Sequence, residues 1–314
     1  MRNFIKLFLA ASLLTVFAFS VHAQSVGINA TGDAPNGSAI LDVSSTTKGF
    51  LPPRMTTAQR NLIPTPVEGL VIYNTDEKTL NIYNGNSWGF IIPFFCGQTL
   101  SDPRDGKNYA TVQIGSQCWM KENMNVGTMI SSTTGGTNND GRQTNNAVFE
   151  KYCYLNVEAN CATYGGLYQW DEMMQYTTTQ GVQGICPTGW HLPTDNEWST
   201  LTDYVSNQTA YRCNSTNNYI AKSLAATTNW TTATGTCFIG DNLAANNATG
   251  FTALPGGKKA NGGAFDSVES NGNFWSTTQS TTTATGWNLN NSFATVRSFD
   301  YAKDWGFSVR CIKD

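Results

Sequence analysis

The chain has 314 residues and a formal net charge of −3, with 40% hydrophobic and only 13% charged residues. It has no block of lysines and arginines, which argues against a duplex DNA or RNA partner, because phosphate binding needs clustered cations. The abundant Asn, Thr, Ser and Gly give a surface hydrated through amides and hydroxyls, as in loop-rich extracellular β proteins, and the length is enough for two domains.

The opening MRNFIKLFLAASLLTVFAFSVHAQS has a basic start (Arg2, Lys6), an apolar stretch from Phe8 to Val21 and the small-residue pattern Val21-His22-Ala23. This is the pattern of a secretory signal over residues 1–23, cut after Ala23; the apolar stretch is too short to span a bilayer, which takes about 20 residues. Gln24, not cysteine, follows the cut, and no later stretch is long and apolar enough to cross a membrane. Secretion or cell-surface display is therefore expected. Without Arg2 and Lys6, 17 basic residues face 22 acidic ones, a net charge of −5.

Residues 24–95 contain the prolines Pro35, Pro52, Pro53, Pro64 and Pro66, with Pro93 near their end, and no cysteine before Cys96. "GLVIYN" (69–74) and "TLNIYNGNSW" (79–88) predict a hairpin around the polar turn Thr75-Asp76-Glu77-Lys78. One hairpin is marginal alone, so this piece either packs on a neighbour or shares a core with copies of itself.

Residues 96–314 read as one α+β domain. "KNYATVQIGSQCWMKENM" (107–124) predicts two strands around Gly115-Ser116. The polar, Gly-rich stretch 129–146 reads as a loop, and "YGGLYQWDEMMQY" (164–176) as a short helix with Tyr168, Met173 and Met174 inward. In "ICPTGWHLPTDNEW" (185–198), Pro193 halts an extended segment and Thr194-Asp195-Asn196-Glu197 is a capping box. The following helix places Trp198, Leu201, Tyr204 and Val205 on one buried face. A second helix is predicted at 219–230 with Ile220 and Leu224 inward. After it the chain turns to strands, and alternation in "SFATVRSF" and "GFSVRCI" predicts a terminal hairpin turning at "DYAKDW".

All eight cysteines follow residue 95, an even count that in an exported chain favours disulfides. Zinc is the rival reading, but no CxxC occurs and only His191 could join them. His191, between Trp190 and Leu192 beside the capping box, reads as structural, although a general base is the alternative. There is no G-x-S-x-G.

Two resemblances add to this. The segment "SAILDVSSTTKGFLPPRMTTAQRNLIPTPVEGLVIYNTDEKTLNIYNGNSW" (38–88) resembles one recurrent in Bacteroidetes surface and fibre-like proteins and in some phage tail fibres. It implies a stalk or assembly module, with a homotrimer through residues 24–95. "DGKNYATVQIGSQCWMKENMN", "YCYLNVEANCATYGGLYQWDEMM", "GICPTGWHLPTDNEWSTL", "FTALPGGKKANGGAF", "FWSTT" and "GFSVRC", in that order, resemble the Fibrobacter succinogenes major paralogous domain over residues 96–314. The phrases "HLPTDNEW", "FWS" and "GFSVRC" are further similar to the C-type lectin-like superfold, including its formylglycine-generating branch. The implied fold is a disulfide-stapled C-type lectin-like α+β domain behind a small β-rich N-terminal module. With spacing and topology, the resemblance pairs Cys96–Cys118, Cys153–Cys161, Cys186–Cys311 and Cys213–Cys237.

A formylglycine-type enzyme needs a reactive cysteine pair, which full pairing would remove. An iron enzyme of that superfold needs several histidines. Calcium-dependent lectins carry E-P-N or Q-P-D, absent here, and W-N-D, which "WNLNN" (287–291) only echoes, with Leu289 where the acid belongs. No metal, cofactor or catalytic residue is expected. The loop face that lectin-like folds use would contain Trp287, Asn288, Asn290, Arg297, Tyr301, Asp304 and Trp305, a set suited to an extracellular glycan or protein ligand. Burial of Trp287 and Trp305 in the core is the alternative. The expected function is adhesion or binding by a rigid platform; the rivals are a structural fibre or envelope component, and a cryptic enzyme.

Overall fold

The computed structural model describes residues 25–90, 94–133 and 141–314. The expected signal segment lies outside the described residues, as do positions 134–140 of the expected polar loop. The chain divides after Pro93 into two compact units.

In the first unit, β1 (Val26–Ile28) and β2 (Leu41–Val43) form a parallel two-stranded sheet. A second sheet has the order β3 (Arg54–Met55), β4 (Val71–Asn74), β5 (Thr79–Tyr83), β6 (Trp88–Phe90). The β4–β5 hairpin is the expected one. The run 79–88, read as one strand, is broken in two because Asn84 Oδ1 accepts from the amides of Asn86 and Ser87 and Gly85 turns at φ +89°. A helix at Thr57–Asn61 starts in a capping box of Thr56 and Gln59. The interior is meagre. Of the large hydrophobic side chains described here only Ile72 is buried, and its buried neighbours Asn74 and Asn81 are polar, tied to each other and to Thr57 and Arg60.

The second unit is mostly β with few helices. One sheet has the order β12 (Trp190–His191), β18 (Ile312–Lys313), β9 (Gln117–Met120), β8 (Lys107–Ile114), β7 (Thr99–Asp102). The other has the order β14 (Phe265–Val268), β13 (Gly256–Lys259), β15 (Asn271–Gln279), β16 (Thr283–Asn290), β17 (Arg297–Ala302). A short parallel pair joins β10 (Thr128–Met129) to β11 (Glu150–Lys151). Because successive strand residues face opposite ways, each large sheet feeds two cores. Met120, Trp275 and Cys311 enter one, with Met173, Trp190 and Phe307. Trp119, Phe274 and Ile312 enter the other, with Trp198, Leu201 and Phe251.

The motif at 185–198 is a rivet. Thr194 accepts from the Glu197 amide and Glu197 returns a bond to the Thr194 amide, opening the helix Asp195–Asn207. Trp198 then meets Trp119, Phe274 and Trp287 with centroids 5.0 to 5.8 Å apart. Cys186 is bridged to Cys311, and the other pairs are Cys96–Cys118, Cys153–Cys161 and Cys213–Cys237, the pairings that the resemblance implies.

Four expectations need correction. Tyr204 is 38% exposed, its ring lying over Gly115, which turns at φ +61° and where a Cβ would come within 2.9 Å of that ring. The helix expected over 164–176 covers only Trp170–Met173, because Leu167 and Tyr168 bridge to Tyr152 and Phe307 in extended form. The helix at 219–230 is reduced to Ala221–Leu224, since Ala225 and Ala226 turn extended beside Ala253. The terminal hairpin does not form: β17 pairs with β16, while β18 inserts between β9 and β12. β17 thus turns back on the strand just before it, whereas β18 is matched to strands more than 100 positions away.

Two buried cations hold loops. Arg310, fully buried between Phe251 and Phe274, donates to Asn123 Oδ1 at 2.6 Å and to the carbonyls of Phe251 and Thr252. Burial pulls its guanidinium down to about 9. Lys222 donates its ammonium to the carbonyls of Phe238, Asp241 and Asn242, and burial holds it below the ordinary lysine value.

Candidate functional site

The seven expected ligand residues separate into four places. Trp287 on β16 is 7% exposed, stacks on Trp198 and donates Nε1 to Asp195 at 2.9 Å. It is a core residue. Asn288 and Asn290 donate across the β15–β16 register to Asn273 (2.8 Å) and Asn271 (2.5 Å), forming an amide ladder that stabilises the sheet. Arg297 is exposed on β17, its guanidinium 3.6 Å from the Phe293 centroid. Tyr301, Asp304 and Trp305 come together at the end of β17. The Tyr301 ring lies 5.7 Å from Trp305, and the Lys258 ammonium sits 5.0 Å over the Trp305 indole.

Asp304 also lines a cleft of about 370 Å³ with Arg142, Gln143, Gln169, Glu172, Tyr176 and Lys303 among its walls. Gln143 and Gln169 exchange backbone-to-side-chain bonds of 3.0 and 2.5 Å, and Gln169 Nε2 donates to the Asp304 carbonyl at 2.9 Å. Glu172 forms the floor, 1% exposed, accepting from the Glu150 amide (2.9 Å) and the Tyr176 hydroxyl (2.8 Å). Burial raises Glu172 above the usual carboxylate range, with those two bonds opposing it. Tyr176 is pushed up by burial and by Glu172. The Lys303 ammonium bonds Gln279 and rides 4.5 Å over Trp170. At the rim Arg142 reaches Asp304 Oδ2 at 3.3 Å, while Asp304 Oδ1 is buried with no hydrogen-bond partner.

The cleft is lined by amide, guanidinium, ammonium and carboxylate groups, a polar surface chemically suited to a ligand bearing several hydroxyls or amides. Of its residues only Asp304 is in the set read from the sequence. The signal for the others was the acidic pair Asp171-Glu172 inside the apolar run "LYQWDEMM", where a buried carboxylate needs a reason.

His191 bridges two carboxylates, with Nε2 at 2.8 Å from Glu197 and Nδ1 at 2.7 Å from Asp314. The hydrogen bond to Glu197 raises the imidazole above its ordinary value, burial opposes, and Asp314 adds to the rise. Burial pushes Glu197 up, but bonds from His191 and Thr194 outweigh it and hold the carboxyl low.

The sequence model of the Fibrobacter succinogenes major domain matches residues 112–313, well over half of the chain. The chain belongs to the Fibrobacter succinogenes major domain family. Residues 27–102 match a second model, described as a phage tail like trimerisation region. No curated protein matches the chain. No solved structure matches it either. In this Fibrobacter succinogenes major domain the matched span contains the whole cleft and three of the four disulfides entire.

Proposed function

We propose that this protein is exported, assembles as a homotrimer through its N-terminal unit, and displays a lectin-like domain that binds an extracellular glycan or protein without catalysing a reaction. The observation that carries the reading is the apolar surface of the first unit. Ile28, Ile40, Leu41, Phe50, Leu51, Leu62 and Val67 are each more than half exposed, while among the described large hydrophobic side chains of this unit only Ile72 is buried. A two-stranded sheet such as β1–β2 does not persist alone in water, so these side chains need a shared core. The match to a phage tail like trimerisation region supports a core shared among copies of the same chain.

The lectin-like architecture is supported by the packing of "HLPTDNEW" on "FWS" at Trp198–Phe274 and of "FWS" on "GFSVRC" at Trp275–Phe307. The non-catalytic reading is supported by the cysteines: all eight are in disulfides, which leaves no thiolate for formylglycine-type chemistry. The rival, a fibre component without a ligand, shares the trimer and differs only at the cleft.

Two measurements test the proposal. Sedimentation of the full chain should give three copies, and Ile28→Asp with Leu41→Asp should reduce it to one; a monomeric wild type refutes the assembly. A glycan and protein array probed with the trimer should give binding that Asp304→Ala weakens at least tenfold, and silence on the array decides for the fibre.

A further inference from the structure

We propose that Lys151 and Asn125 become joined by an intramolecular isopeptide bond, with Glu158 as the proton-transfer group. Both reacting side chains are buried, Asn125 to 4% and Lys151 to 5% exposure. Lys151 Nζ donates to Asn125 Oδ1 at 2.8 Å and to the Asn125 carbonyl at 2.9 Å. A nitrogen at that distance from an amide oxygen lies roughly 3.5 Å from the amide carbon, the separation of a near-attack pair. The carboxamide cannot turn away, because its Nδ2 donates to the Cys161 carbonyl at 3.0 Å. Its backbone amide bonds Tyr109 Oη at 3.1 Å. Lys151 is held by the β10–β11 register opposite Met129, and the Cys153–Cys161 bridge fixes the Cys161 carbonyl. Glu158 Oε1 reaches Nζ at 3.3 Å from the solvent side.

An ordinary buried lysine needs acceptors, and a carbonyl with one carboxylate would serve. Here one of those acceptors is the oxygen of an immobilised carboxamide, whose electrophilic carbon is one bond away, and a carboxylate base also contacts the ammonium. The step balances without any co-reactant. Glu158 takes a proton from the ammonium, the amine lone pair adds to Asn125 Cγ, and the tetrahedral adduct expels Nδ2. Glu158 returns its proton to the leaving nitrogen, so one Nζ–Cγ bond forms, one Cγ–Nδ2 bond breaks, and ammonia departs with the remaining proton as ammonium. Nothing is oxidised or reduced. Burial excludes the water that would otherwise hydrolyse the activated amide.

The test is mass spectrometry of the purified full-length protein. The intact mass should fall short of the four-disulfide sequence mass by one ammonia. After reduction and proteolysis a branched peptide should link residues 125 and 151. Glu158→Gln, an exposed and conservative change, should keep the fold and slow bond formation about 100-fold or more. The proposal is overturned if no ammonia is missing and Lys151 takes up an amine label after denaturation. It is equally overturned if the missing ammonia maps elsewhere, to a succinimide at an Asn–Gly pair such as Asn261-Gly262 or to a cyclised Gln24.

Discussion

The Cys186–Cys311 bridge closes the longest loop in the protein, and its removal gives the sharpest prediction. The bridge spans 125 residues, and Cys213–Cys237, spanning 24, lies inside that loop and shortens it to about 100. On the chain-entropy account such a loop stabilises by about 4.7 kcal/mol, against about 2.5 kcal/mol for the Cys153–Cys161 loop of 8. Both sulfurs of the long bridge are fully buried in the Trp190–Phe307 core, so alanine, which adds no buried hydroxyl, is the fitting replacement. Urea denaturation of the full chain without reductant, followed by tryptophan fluorescence, should show Cys186→Ala/Cys311→Ala losing about twice what Cys153→Ala/Cys161→Ala loses. The m-value should rise for the first variant, because an uncrosslinked unfolded state exposes more surface. Equal losses for the two variants, or a loss under about 1 kcal/mol for the long bridge, would refute loop closure as the source of the stabilisation.

Three further outcomes follow from buried charges. The His191 bridge has two titrating ends: a raised imidazole stabilises fully below its unfolded value of about 6.5 and fades as pH climbs through its higher folded value, whereas Glu197, held low, stabilises above about 4.3 and fades on acidification. Wild-type Tm relative to His191→Gln should therefore peak between about pH 4.3 and 6.5; a flat difference from pH 4 to 9 contradicts this. Arg310→Ala strands Asn123 Oδ1 and two carbonyls, and calorimetry should find a loss of about 3–5 kcal/mol, while a loss below 1 would mean that water replaces the guanidinium. Lys222→Met should raise hydrogen exchange at Phe238–Asn242 while β15 and β16 stay protected; unchanged exchange there would show that the ammonium is not what orders the loop.

What could be read from the sequence was local or covalent. Thr194 and Glu197 lie within one helical turn, so their capping box and the inward Trp198 follow from spacing alone. Cysteine pairing was legible only with help from the family resemblance, since Cys186 and Cys311 have no local relation. The terminal hairpin failed for the same reason. Alternation in "GFSVRCI" suggested one buried face, yet the whole run is buried, and nothing in it says that β9, almost 200 positions earlier, lies alongside. The cleft was mostly hidden because it brings Arg142, Glu172 and Lys303 from three separate segments, and because Trp287 and Asn288 look like ligand residues until their partners Asp195 and Asn273 are known.

Lys222 deserves a last consequence. Loops as long and polar as the one from Trp230 to Phe251 commonly borrow a metal ion to gather their carbonyl oxygens, and then depend on the supply of that ion. Here the gathering charge is covalently part of the backbone's own polymer, delivered at synthesis in a ratio of one per loop. Chelators and dilution leave it in place, and only chemistry that erases the charge itself, such as acylation of the amine, would let that loop go slack.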